Sequence, residues 1–282
     1  MLLEERKELT EMRKQMFLTA YTGGKAHLAS AFSCAEIFYA LYGKKILRFR
    51  PEEPFWEDRD RLILSKGHAS LALYVSLAMA GIIEKSELST FLQDGSRLGG
   101  EPCCHGVPGV EAATGSLGHG LSMGLGMALA GKLDKKNYMT YVILGDGECQ
   151  EGTVWEAVMA ANKYSLDNLT AILDYNKIQK MGFISETMKI NSWSEKWMAF
   201  GWQVDEIKNG HDLNQVCNVL SRENLSGKPR LIIANTVKGK GVSIMENNPN
   251  WHFKMPNRRE LMVFMKELEI SEEELAECRK HI

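Results

Sequence analysis

No two cysteines in this sequence form a CxxC pair. The six present, Cys34, Cys103, Cys104, Cys149, Cys217 and Cys278, read as reduced cytosolic thiols in a chain of this size. Cys103-Cys104-His105 has no second ligand cluster to complete a zinc site and reads as an ordinary loop. No apolar run approaches the roughly 20 residues of a membrane span. The N-terminus, Met-Leu-Leu-Glu-Glu-Arg-Lys, is charged and lacks a signal-peptide pattern. Neither sign of charge dominates: 34 basic against 36 acidic residues leave a net charge of −2. That removes the bulk electrostatic case for nucleic acid or an anionic membrane as partner. Repeats, low-complexity tracts and obvious linkers are missing too. What remains is a cytoplasmic globular protein of 282 residues, 44% hydrophobic and 25% charged, long enough for a sizeable core. The 15 methionines sit mostly among helical apolar residues, where they read as gap-fillers.

The most organised stretch runs from Tyr141 to Ile178. An apolar run, Tyr141-Val142-Ile143-Leu144, breaks at Gly145-Asp146-Gly147, and a helical segment follows. A second apolar run, Leu169 to Leu173, ends in Asp174-Tyr175-Asn176. Strand, turn, helix, strand is a βαβ pattern, whose two strand ends point the same way. Asp146 and Asn176, thirty residues apart, therefore lie side by side as oxygen ligands suited to a hard divalent cation. The flanking glycines let backbone N–H groups approach an anion.

The rest of the chain repeats the alternation. Residues 2–20 read as an amphipathic helix with Leu2, Leu9, Met12 and Met16 on one face. A second helix opens at Ser33, whose Ser-x-x-Glu spacing to Glu36 is a capping box, and buries Ile37, Phe38 and Leu41. Arg61–Leu64 is a short strand ending at Ser65-Lys66-Gly67-His68, before a helix to Ala80. Residues 93–118 form a glycine-rich loop, long enough to be functional. A helix of small residues follows, about 120–132, then the βαβ unit. Further on come a helix near 194–200, a strand near 202–207, a helix from Asp212 to Leu220, and a strand at Arg230–Asn235 ending in the Thr236–Gly241 turn. Two charged helices close the chain, the last opened by a Ser271–Glu274 capping box. This predicts one α/β domain over residues 1–282, a doubly wound parallel sheet with helices on both faces and a helical C-terminal extension from about 257.

Each of these signals is weak alone, but Asp146, Asn176, His68 and the lysine-bearing 236–241 turn all fall at strand ends that can share one edge. Gly145-Asp146-Gly147 with Asn176 resembles the thiamine diphosphate-binding motif, and its flanks, Gly-Asp-Gly-Glu-Cys-Gln-Glu-Gly-Thr-Val-Trp-Glu-Ala and Leu-Asp-Tyr-Asn-Lys-Ile-Gln, resemble transketolases. The resemblance runs from about residue 10 to 256. It includes Ser65–His68, Pro108–Glu111, Thr114–Gly118, Gly210–Asp212, Lys238–Gly241 and Trp251-His252. The likeness is greatest to the separate N-terminal subunits of split transketolases. It implies thiamine diphosphate and Mg²⁺, or another divalent cation such as Ca²⁺ or Mn²⁺, as cofactors. Asp146, Asn176 and the carbonyl of Ile178 would ligate the metal. Gly145, Gly147, Glu148, His68 and His252 would lie at the diphosphate, with Gly115, Ser116 and Leu117 along the cofactor's rings. His27, His68 and His252 would reach the substrate. Glu151 and Glu156 would join a proton-sharing network at a subunit interface. Glu156 also stands three residues after Thr153, where it could simply complete a capping box. His211 reads better as a brace for its turn than as a ligand contact.

The family's activating glutamate, which protonates the aminopyrimidine ring, belongs to a second domain. The resemblance therefore implies a partner in the form of a separate C-terminal subunit, two of each chain in the assembly (α2β2), and sugar or sugar-phosphate substrates. Three positions depart from the family pattern. Gly100-Glu101-Pro102 stands where Gly-His-Pro is common, with His105 four residues later as a possible replacement. His119 stands for Gln, and Phe253 for Gly. A carboxylate at 101 accepts hydrogen bonds and repels anions. The expected activity is transfer of a two-carbon ketol unit from a ketose to an aldehyde, with an atypical donor or acceptor. Two alternatives stay open: decarboxylating acyl transfer from a 2-oxo acid, as in 1-deoxyxylulose-phosphate synthase, and a non-catalytic partner subunit.

Overall fold

The computed structural model describes residues 2–279. α1 (Leu3–Gly23), α2 (Leu28–Ser33) and α3 (Ala35–Phe38) lead through a π turn, Tyr39–Gly43, to β1 (Arg61–Leu64) and α4 (Ser70–Met79). After a long segment whose one regular element is a 3-10 helix, Lys85–Thr90, come α5 (His119–Leu133), β2 (Thr140–Gly145), α6 (Gly152–Lys163) and β3 (Leu169–Tyr175). A short antiparallel hairpin, β4 (Ile178–Gln179) and β5 (Gly182–Phe183), is followed by α7 (Ile184–Thr187), α8 (Trp193–Ala199), β6 (Gln203–Ile207), α9 (Leu213–Leu220) and β7 (Arg230–Asn235). α10 (Arg258–Glu267) and α11 (Glu272–Arg279) complete the described chain.

The five long strands form one parallel sheet in the order β1-β2-β3-β7-β6. Successive strand residues point to opposite faces, and each face has its own core. Tyr141, Ile143, Ile172 and Ile232 pack under α1 to α4 and α9, whereas Val142, Leu144, Ala171, Leu173 and Leu231 pack under α5, α6 and α8. A strand buried on both faces needs a continuous apolar run, which is why these strands were legible. The sheet is doubly wound, as expected. α5 lies close on it because its glycines allow the approach: a Cβ on Gly120 would stand 2.5 Å from the Cβ of Ser65.

Two helix starts differ from expectation. Ser33 ends α2 instead of capping the next helix, and its hydroxyl donates to the carbonyl of Ser30 and to Asp174. Glu36 is taken by Arg13 and His211. α6 is led by Glu151 without a side-chain cap, and the Thr153 hydroxyl donates to the carbonyl of Gly118, so Thr153 and Glu156 form no capping box. In each case a tertiary partner outcompetes the local one. Leu2 is also exposed, while Leu9, Met12 and Met16 are buried. The Ser271–Glu274 capping box forms with both reciprocal bonds.

Glu36 ties several elements together. It accepts two bonds from the Arg13 guanidinium, at 2.7 and 2.8 Å, and lies 2.9 Å from Nδ1 of His211. The backbone N–H of Val237 donates to the other ring nitrogen of His211, so this histidine braces its turn. Burial opposes the Glu36 charge, but Arg13 and the His211 contact outweigh it and hold the carboxyl down at about 2. A depressed carboxyl contributes stability above its unfolded value near 4.5 and loses it as pH falls toward 2. Glu36→Gln leaves the buried guanidinium unpaired. It is expected to cost about 3 kcal/mol in urea unfolding at pH 7, with the gap to the parent shrinking between pH 4.5 and pH 2. An equal gap at all pH values would contradict this.

Candidate active site

The C-terminal ends of β1, β2, β3 and β7 share one edge, because Gly145 pairs with Asp174 and Asp174 with Ala234 in register. A cleft of about 370 Å³ opens there. Its walls carry Lys66, His68, Asp146, Asn176, Ile178 and Lys238 from those turns, His27 from the start of α2 and His252 from the segment after β7, with Gly115, Leu117, Gly145, Gly147 and Glu151. A side cavity of about 230 Å³ continues past His27 and His68 to Lys25, Phe91, Leu92, Glu101 and Phe253. A larger cavity, about 690 Å³, lies beside Tyr39 and Met79. It contains no histidine and none of the strand-end groups, so the smaller one is the candidate site.

Three imidazoles converge. The ring centres of His27 and His68 are 5.3 Å apart, those of His27 and His252 5.1 Å, and those of His68 and His252 5.8 Å. Burial, then the charges of Lys238 and Lys180, push His27 down to about 4. Burial and Lys238 push His252 to about 3, and burial with Lys66 puts His68 well below its usual range. All three are neutral at physiological pH, able to donate and accept a proton at a ring nitrogen. Phe253 packs on His27 at 4.6 Å between ring centres.

Asp146 is 2% exposed. One carboxylate oxygen accepts the N–H of Gly147 at 2.8 Å, the other that of Lys177. Burial, then repulsion from Asp174, raise its carboxyl to about 7. Oδ1 of Asn176 accepts the N–H of Ile178 at 3.2 Å. The ammonium of Lys238 reaches the carbonyl of Ile178 and Nδ1 of His252, each at 3.0 Å. Burial draws Lys238 down to about 8. Glu148 is buried in the cleft wall, but its carboxylate is engaged by the Ser65 hydroxyl and the N–H groups of Gly118 and Gly145. It braces the turn. Gly118 makes this contact in the left-handed region, φ +83°, where a Cβ would strike Glu151 at 2.7 Å.

Ser116, His105 and Glu156 are exposed and lie outside both cavities. Sequence reasoning missed Ser30 and Gln150, and noted Lys66 and Lys238 only as parts of turns. A lysine after a strand has no local signature until the topology puts a carboxylate opposite it.

These residues fit a diphosphate with a hard cation. The Ser30 hydroxyl and the Gln150 amide nitrogen are buried in the cleft wall without a protein partner, and buried donors ordinarily have one. Asp146, Asn176 and the Ile178 carbonyl offer three oxygens, too few to enclose a cation but enough for one that also binds phosphate oxygens. Among the described residues, no group of three or more His, Cys, Asp and Glu side chains could hold a metal alone, at Cys103-Cys104-His105 or elsewhere.

Comparison with known proteins points the same way. Residues 16–271 match the family model described as "Transketolase, thiamine diphosphate binding domain". An apulose-4-phosphate transketolase subunit from Phocaeicola vulgatus is 44% identical over 245 residues, 86% of each chain. Its namesake in Actinobacillus succinogenes is 39% identical over 94% of this chain and 95% of its own. A 6-deoxy-6-sulfo-D-fructose transketolase subunit from Clostridium sp. is 40% identical over 79% and 81%. The transketolase structure from Leishmania mexicana superposes with a TM-score of 0.86 at 27% identity, covering 98% of this chain but 44% of that one. The chain thus spans less than half the length of that solved transketolase.

Proposed function

This chain belongs to the transketolase family, and on that premise we propose that it is the diphosphate-binding subunit of a thiamine diphosphate- and Mg²⁺-dependent transketolase. It moves a two-carbon ketol unit from a ketose to an aldehyde, in the cytoplasm, together with a separate C-terminal subunit. Residues 1–282 form one diphosphate-binding domain in this reading. The observation that carries it is the shared strand edge: three oxygen donors, two orphan hydrogen-bond donors and three neutral histidines face one cleft.

Asp146, the side-chain oxygen of Asn176 and the Ile178 carbonyl would hold Mg²⁺. The Ser30 hydroxyl and the rings of His68 and His252 would face the diphosphate, with Gly147, whose N–H goes to Asp146, beside it. When bound, the cofactor supplies the nucleophilic carbon and electron sink that cleave and remake a ketose C–C bond. His27, His68 and His252, held neutral by burial, orient sugar hydroxyls and move protons at their ring nitrogens. Lys238 places a positive charge beside the Ile178 carbonyl and His252. Glu151, on the cleft rim, and Glu156, on the exposed side of α6, face the partner chain. Leu117, Met123 and Met159, on the same stretch of chain from just before α5 to α6, are exposed apolar side chains suited to a partner. Gap-filling fits Met12, Met16 and Met245, which are buried, but not these surface methionines.

Calorimetry with thiamine diphosphate and Mg²⁺ tests the binding half of the proposal. Ketose consumption in the presence of an aldehyde and the partner chain tests the rest, and release of CO₂ from pyruvate instead would favour acyl transfer. Relatives named for apulose 4-phosphate and 6-deoxy-6-sulfofructose support a donor outside the common pentose phosphates. Glu101 lines both cavities, on the approach to the histidines. Glu101→His is expected to change the ratio of kcat/KM between fructose 6-phosphate and the preferred donor by about fivefold or more. An unchanged ratio would remove Glu101 from the specificity account.

A further inference from the structure

In the floor of the cleft Lys66 is paired with Asp174. Lys66 is 1% exposed and Asp174 is fully buried. A buried pair of this kind often contributes less than apolar residues of the same size, so stability alone is a poor account of it. We infer that the Lys66–Asp174 pair is a positioning device: it turns the Asn176 amide so that its oxygen, not its nitrogen, faces the cation site, and thereby sets how tightly a divalent cation is held. The inference rests on the cofactor reading above.

Asp174 and Asn176 are two residues apart, and both are buried at the β3 end of the sheet. The Nδ2 group of Asn176 donates to Oδ2 of Asp174 at 3.0 Å. On its other side, Oδ1 accepts the N–H of Ile178 at 3.2 Å. Turning the amide over would set its oxygen against a carboxylate oxygen and its NH₂ against an N–H. Both contacts would become repulsive, so the amide has one favourable orientation.

The carboxylate that enforces this must itself be fixed and charged. The Lys66 ammonium and the hydroxyls of Ser33 and Thr236 all donate to it. Lys66 is anchored in turn by the carbonyl of Ser30, at 2.9 Å. The chain of contacts thus runs from α2 through Lys66 and Asp174 to the amide, without Lys66 or Asp174 being a ligand. Partners that orient metal ligands commonly change affinity by about 10–100-fold.

The test is a calorimetric titration of Mn²⁺ into the complex with its partner chain, saturated with thiamine diphosphate. The double variant Lys66→Met with Asp174→Leu replaces the pair by apolar groups of similar size. It should fold with a lower melting temperature, since the Ser33 and Thr236 hydroxyls and the Asn176 amide lose their acceptor, and Mn²⁺ binding should weaken by about tenfold or more. Adding Asn176→Asp supplies a symmetric carboxylate that needs no orienting partner, and should restore Mn²⁺ affinity to within about threefold of the parent. A folded double variant that binds Mn²⁺ within twofold of the parent overturns the inference, as does failure of the added carboxylate to rescue. Should the double variant not fold, Thr236→Val and Ser33→Ala each loosen Asp174 without changing charge. Each should weaken Mn²⁺ binding about threefold, and unchanged binding in both would be equally fatal. Absence of Mn²⁺ binding by the parent would instead defeat the cofactor reading itself.

Discussion

Asp146→Ala is expected to abolish turnover of the assembled enzyme and to weaken Mg²⁺-dependent binding of thiamine diphosphate by at least about hundredfold. Asp146 is the one side chain among the three proposed metal ligands that can carry a full negative charge. Its two oxygens already accept N–H groups from Gly147 and Lys177, which fix the carboxylate between the β2 turn and the β3 turn. No described neighbour replaces it, since Asp174 is committed to Lys66, Ser33, Thr236 and Asn176. Glu148 is committed to the turn. The fold should not share the loss. Burial and repulsion from Asp174 hold the Asp146 carboxyl up at about 7, so its charge is unfavourable until a cation compensates it. Without cation and cofactor, the variant should melt no lower than the parent. Calorimetry with and without Mg²⁺, beside a melting curve of the bare protein, separates the two effects. Retained turnover in a folded Asp146→Ala complex would remove the cation from the proposed site.

How much of this was legible in the sequence depends on the range over which each residue acts. The strands could be read because burial on both faces demands an unbroken apolar run, and Val142 and Ile143 belong to different cores while both are apolar. Asp146 and Asn176 could be placed because βαβ topology fixes where consecutive strand ends lie. Ser33 and Glu36 could not. Their spacing is that of a capping box, but Asp174, 141 positions away from Ser33, takes the hydroxyl, and Arg13 takes the carboxylate. The Lys66–Asp174 contact spans 108 positions and leaves no periodic trace. Glu148 looked like a ligand because it follows Gly-Asp-Gly. Only the folded turn shows its carboxylate facing inward to Gly118 and Gly145. The convergence of His27 with His252 likewise depends on β7 lying next to β3, an order that hydrophobic patterning does not specify.

Without its partner chain the protein should turn over no substrate, and it should bind thiamine diphosphate at least about tenfold more weakly than the complex does. The groups on this chain hold a diphosphate and a cation and present neutral imidazoles. None of the side chains lining the cleft is a carboxylate free and placed to protonate a ring at its open end: Asp146 is proposed for the metal, Glu148 is engaged, and Glu151 and Glu101 sit exposed at the rim. Exposed Leu117, Met123 and Met159 lie just before α5, near its start and along α6. A partner that covers them would exclude water from the cofactor's rings and bring in the missing acid in the same step. Two separately purified chains, each inactive, should therefore regain ketose–aldehyde exchange on mixing. Activity should rise with partner concentration and saturate near equimolar amounts, as the complex forms. Charged substitutions at Met123 and Met159 should shift that saturation to higher concentration while leaving kcat at saturation unchanged, because these side chains lie outside the cleft. Turnover by this chain rigorously freed of any partner would show that the acid comes from within it, and Glu151 would then be the residue to replace first.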